Sequence, residues 1–154
     1  MAIGRIQNIK PPYKAKPMDT KEETNETQRD ETVEFVSYFL GCSTMLHIMH
    51  MQNSNPAVHE PLGELYGAVT DIIDSIVEKY QGLTGELISG YKNYDLSEYE
   101  GMNPLEYVQD LQAYLADDRY EAFDRDCSPI QNEIDDLSNA LNKCVFLLKF
   151  NKPL

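Results

Sequence analysis

Five side chains between positions 47 and 78 have types that could do chemistry together: His47, His50, His59, Asp74 and Glu78. The histidines are the only three in a chain of 154 residues. Neutral imidazole and carboxylate are donors that suit divalent first-row ions such as Fe(II) and leave coordination positions open for an oxidant. His59 follows His47 by twelve residues, Asp74 follows His59 by fifteen, and Glu78 lies four further on. A step of four places the two carboxylates on one helical face. Fifteen helical residues span roughly 22 Å, so His59 and Asp74 cannot hold one ion within one chain. They can do so across a two-fold axis, if a second copy of the same helix runs antiparallel to the first. An isologous interface of that kind creates two equivalent sites at once. The plainer alternative is that Asp74 and Glu78 belong to a solvated helix face and that the histidines are structural. His50, one turn after His47, could chelate with it or serve as a polar residue at a helix end.

Positioning these residues requires long helices, and the apolar spacing supplies them. Phe35, Phe39, Cys42, Leu46 and Met49 recur at three- and four-residue steps, which predicts a first helix over Glu31–Met51. After the polar turn from Gln52 to Pro56, Leu62, Leu65, Val69, Ile72 and Ile76 predict a second over His59–Gln81. Pro61 is expected in its first turn, with Gly82 and Gly85 closing it. Residues 82–102, with Tyr91, Tyr94 and Tyr99, read as a long connection. Asn103, Pro104 and Glu106 then have the order of cap, first-turn proline and capping-box acid, and Ser128, Pro129 and Gln131 repeat the device. Two helical hairpins joined by one long crossover is the connectivity of a ferritin-like four-helix bundle in the all-α class. The expected domain runs over 31–150, after an extended, partly basic arm at 1–30 and before a short tail at 151–154.

The formal net charge is −13, unevenly placed. Arg5, Lys10, Lys14 and Lys16 stand in a stretch, 1–18, that has no acid, whereas from Thr32 onward 20 acids face 7 lysines or arginines. Such a body repels a phosphate backbone and attracts cations, so DNA would meet this protein only through the arm. Cys42, Cys127 and Cys144 are odd in number and lack CxxC spacing, which disfavours a disulfide framework or a thiolate zinc site. Cys42 and Cys144 read as small buried hydrophobes. No apolar run nears the ~18–20 residues of a membrane span, and no signal-like leader opens the chain, so a cytoplasmic location is expected. Motifs for a nucleophilic serine, a P-loop or a dinucleotide fold are lacking. So is the Glu-x-x-His pattern of a within-bundle di-iron site, since Thr44, His47 and Pro56 stand three residues before the histidines.

The segment His59-Glu60, Leu62, Asp71, Asp74, Glu78, with His47 upstream, resembles the metal-site signature of the Dps family, the miniferritins. Ile48 stands where that family usually has tryptophan, Gly63 where it often has a further acid, and Pro61 adjoins His59. The resemblance implies twelve-subunit shells built on two-fold dimers, which oxidise Fe(II), preferably with hydrogen peroxide, and store the ferric product. By motif position His47 and His59 would be iron ligands of one subunit, and Asp74 and Glu78 those of its mate. Glu60 and Glu64 would be auxiliary acids, and no catalytic residue separate from the ligands is implied. The family also implies protection of DNA. The rival expectation is a non-enzymatic bundle, used for assembly or binding and tethered by its arm, because a scaffold implies no activity by itself.

Overall fold

Each helix begins and ends where local chemistry allows it. The computed structural model describes residues 21–94 and 101–151, and among them the regular structure is helical throughout: α1 (Lys21–Gln52), α2 (Pro56–Thr84), α3 (Pro104–Ala122) and α4 (Ser128–Phe150). Asn103 caps α3 as its sequence predicts, its side-chain oxygen accepting from the amides of Leu105 and Glu106 at 3.0 and 3.3 Å. Gly85 closes α2 in the left-handed conformation (φ 72°), with its amide donating to the carbonyl of Gln81.

Three helix starts differ from expectation, and α2 ends at Thr84 rather than Gln81, with Gly82 still helical. α1 starts at Lys21, so residues 21–30, expected to be extended, are helical. The stretch has no apolar stripe, but it is rich in Glu, Gln, Lys and Arg, all good helix formers. Tertiary ties also hold it: Arg29 donates to Glu86, to the carbonyl of Leu87 and to the hydroxyl of Ser89. α2 starts at Pro56, capped by the Asn55 side chain, which leaves Pro61 in the second turn. Without an N–H, Pro61 forfeits one intrahelical hydrogen bond; it compensates by being buried, with its carbonyl accepting from the Cys144 thiol. In α4 the cap position falls on Cys127, without a side-chain capping bond, and Ser128 is already helical. Gln131 is turned inward there, its amide donating to the carbonyls of Phe123 and Asp124 while its oxygen accepts from Arg119.

The helices form a four-helix bundle in which α1 packs on α2, α2 on α4, α4 on α3 and α3 on α1. Every neighbouring pair is antiparallel. Thr32 near the start of α1 donates to the carbonyl of Ala122 at the end of α3 (2.7 Å); Lys79 late in α2 pairs with Glu133 early in α4; Gln112 and Asn142 link α3 to α4. α2 and α3 therefore run parallel across the diagonal, and the chain between them must travel the height of the bundle. It climbs along α1: Glu86 beside Arg29, the Lys92 amide on the Ser37 hydroxyl (2.9 Å), then Tyr94 against Gly41. Tyr99 lies outside the described residues, as do Arg5, Lys10, Lys14 and Lys16.

Phe35, Phe39 and Phe123 pack tilted or edge-on at 4.9–5.3 Å in the core, beside Leu46, Ile73, Leu111 and Ile134. Every buried side-chain polar atom among the described residues has a hydrogen-bond partner. Cys42 and Cys144 are buried, as expected, and Cys127 is half-buried. Among the described residues no helix is long and apolar enough to cross a membrane.

Candidate functional site

The three histidines meet where α1 ends and α2 begins. His50 and His59 stack at 3.7 Å between ring centroids, with planes 26° apart. The hydrogen bonds are reciprocal: Nδ1 of His50 donates to the carbonyl of His59 (2.7 Å), and Nδ1 of His59 donates to the carbonyls of His50 (2.8 Å) and Asn53 (3.1 Å). Carbonyls only accept, so both rings carry their hydrogen on Nδ1 and leave Nε2 bare when neutral. His47 lies flat on Tyr66 (4.0 Å, 13°), and its ring nitrogens make no hydrogen bond among the described residues. His50 touches both other imidazoles, at 3.7 Å from His59 and 6.2 Å from His47.

The room for this cluster is left by Gly63. A Cβ there would stand 2.8 Å from Cε1 and 2.9 Å from Nδ1 of His50, so the absent side chain is what lets the ring sit against α2 and reach the His59 carbonyl. Position 63 thus carries no acid because an imidazole occupies the space. His59 in turn engages a carbonyl in the last turn of α1, one of the acceptors a helix end leaves without an intrahelical partner.

Asp74 and Glu78 are exposed on the same unbroken helix as His59, fifteen and nineteen residues further along. They share a face with each other, but α2 holds them far from the imidazoles of their own chain, and neither makes an ion pair among the described residues. Glu60 is exposed beside His59; Glu64 is exposed and bound to Lys143 at 2.6 Å. Among the described residues no group of three or more His, Cys, Asp or Glu is placed to hold an ion within one chain. Nor can the stacked pair share one. An imidazole lone pair lies in its ring plane and places an ion about 2.1 Å beyond the nitrogen. Two planes separated and nearly parallel in this way do not meet at that range.

A second polar group is buried between α1 and α3. The Cys42 thiol lies beside the hydroxyls of Tyr107 and Tyr38, and burial pushes it up to about 12. Burial likewise raises Tyr38, Tyr107 and Tyr114 far above the ordinary phenol range, and Tyr94 to about 12. Tyr38 stacks on Tyr114 at 3.7 Å. The periodicity of the sequence marks Cys42 as core, but which hydroxyls meet its thiol depends on how α1 and α3 dock.

Residues 50–148, from the stacked histidine through α2, α3 and most of α4, match a family of unknown function (DUF5856). The chain belongs to that family. His50, His59, Asp74 and Glu78 fall within the matched span, and His47 precedes it. No curated protein and no solved structure matches the chain.

Proposed function

We propose that this member of the family is a ferritin-like, Dps-type protein that binds Fe(II) between two copies of the chain and promotes its oxidation. His47 and His59 of one copy, with Asp74 and Glu78 of the other, would be the ligands. The observation that carries this reading is the commitment of the His59 Nδ1 hydrogen to main-chain carbonyls. A metal-binding imidazole characteristically donates its second nitrogen to a carbonyl or carboxylate, which fixes the tautomer and aims the bare nitrogen. The unengaged nitrogens of His47 and the exposed carboxylates of Asp74 and Glu78 support it further. So does the up-down-down-up helix order with its long climbing crossover, which is that of ferritin-like bundles.

Iron is the substrate in this scheme. Each Fe(II) gives one electron, and hydrogen peroxide takes up two with two protons and leaves as water. The acidic bundle would then gather further cations within a shell of copies. The test is to mix the protein with Fe(II) and peroxide. A ferric absorbance rise faster than in buffer is expected, lost in His59→Ala and in Asp74→Ala. A rate no different from buffer would sink the reading.

The second reading is a non-enzymatic bundle used for assembly, tethered by its basic arm to DNA or another partner. The reciprocal His50–His59 bonding favours it, because it satisfies the hairpin end without any ion. An intact pair of rings with no metal affinity, together with a gel shift lost on deleting residues 1–20, would select it.

A further inference from the structure

Several large apolar side chains left exposed among the described residues follow one line: Leu83 at the end of α2, Leu87 and Tyr91 on the crossover, then Leu40 and Met51 on α1. Arg29 fixes the lower part of this line by holding Glu86 and the Leu87 carbonyl, and the Ser37–Lys92 bond fixes its middle. Leu40 and Met51 are eleven residues apart, about three turns, and so share a face of α1. Beside Tyr91 the line deepens into an open groove walled by Ser37, Leu40, Gly41, Thr44, Tyr91 and Tyr94. The acids Glu26, Asp30 and Glu34 of α1 and Glu86 of the crossover flank it, against the cations Arg29 and Lys92. The same chain holds a segment that fits this line. Ile3, Ile6, Ile9, Pro12, Ala15 and Met18 recur at every third position, and the positions between them have no other Ile, Leu, Val, Ala or Met. A period of three is not the 3.6 of an α-helix, and Pro11, Pro12 and Pro17 do not suit a helix interior. It is the period of polyproline II, in which every third side chain returns to one edge. Arg5, Lys10, Lys14 and Lys16 then fall on the other two edges.

We infer that residues 3–18 strap the crossover of their own chain in the polyproline II conformation, with the apolar edge along the exposed line and Pro12 in the tyrosine groove. Reach supports the register. From Lys21, where α1 begins, Leu40 lies nineteen residues along the helix, about 28 Å at 1.5 Å per residue. Pro12 lies nine residues from Lys21 on the other side, about 28 Å at 3.1 Å per residue. An arm that doubles back beside α1 therefore brings Pro12 to the height of the groove. By the same reckoning Ile6 comes level with Met51, each about 45 Å from Lys21. Chemistry supports the occupant. Proline-rich segments in this conformation dock in aromatic-lined grooves, because little chain entropy is left to lose. The four cations of the arm complement the acids that flank the line. The tether favours the chain's own groove over that of a second copy, since it keeps the arm at high local concentration. The strap uses none of the proposed iron ligands and stands or falls apart from them.

The chain has no tryptophan, so Tyr91→Trp places a single indole beside the groove. Its emission in the full chain should lie to the blue, as for a covered ring. Deleting residues 1–20 should shift it to the red while helical circular dichroism per bundle residue is kept. Ile9→Asp and Ala15→Asp, on the apolar edge, should shift it likewise. Asn8→Asp adds the same charge off that edge and should leave the emission in place. An emission that ignores the deletion overturns the strap, and Asn8→Asp acting as strongly as Ile9→Asp overturns the apolar edge. A cysteine pair, Pro12→Cys with Leu40→Cys, then shows whose arm fills the groove. Mild oxidation should close a disulfide within one chain, seen as a faster band on non-reducing electrophoresis. A bond formed between chains alone overturns docking on the chain's own groove in favour of exchange between copies, and no bond at all overturns the register. Pro12→Cys by itself should form none; a bond to the half-buried Cys127 would place the arm elsewhere and overturn the strap.

Discussion

A methyl group at position 63 would have to displace the His50 ring, which in turn holds the His59 carbonyl and stacks on the His59 ring. Two effects of Gly63→Ala therefore oppose each other. Helix propensity favours alanine by about 1 kcal/mol, whereas overpacking typically costs about 1–3 kcal/mol. With His50 present the clash should win, and urea denaturation should show a net loss of stability. In a His50→Ala background the same substitution should stabilise. A loss of equal size in both backgrounds would mean that the ring is not what excludes the methyl group. The histidines and their numbering were legible in the sequence, but this arrangement was not. Spacing gives positions along a helix, while the stack depends on which backbone atom of α2 comes within reach of α1. Alkaline titration probes the other buried group. Cys42 and Cys144 are pushed up to about 12, and Tyr38, Tyr107 and Tyr114 upward, all by burial. Each ionises later folded than unfolded, so its contribution is complete below the unfolded values of about 8.5 for Cys and 10 for Tyr. It is lost as pH rises toward 12. The part of the tyrosinate absorbance that Tyr38→Phe and Tyr107→Phe remove should lag behind free tyrosine and then rise together with the loss of helical circular dichroism. That part appearing well before unfolding would contradict the packing of α3 on α1.

At the scale of elements, the sequence was most informative where the determinant is local. The opening of α3 needs only Asn103, Pro104 and two amides, all within four residues. Asn103→Ala should cost about 1 kcal/mol, and Asn55→Ala a similar amount, by chemical denaturation. Ser128→Ala, which the sequence pattern would rank beside them, should be close to neutral, because no side-chain bond caps α4. A loss at position 128 as large as at 103 would place the cap differently from the structure. Misjudged boundaries have non-local causes. The first ten residues of α1 are tied to the start of the crossover by Arg29, and Pro61 is retained in α2 by burial against α4. No window along the chain contains both members of either contact.

For the whole molecule, the apolar periodicity foretold the bundle and its two hairpins, and the length of the connection foretold the crossover. Asp74 and Glu78 were legible as a pair on one face, but nothing in a single chain tells whether that face meets solvent or a second copy. The climb of the crossover along α1 has a further consequence for how this protein can be taken apart. Among the described residues its anchors to α1 end with Tyr94, and the cap of α3 comes after Gly101, so each half retains these contacts if the backbone is severed between them. A gene split there would yield two helix-turn-helix fragments, neither able to cover its apolar face alone. Co-expressed, they should find each other and restore the cooperative melt of the uncut chain, which would make the bundle a natural two-piece complementation pair.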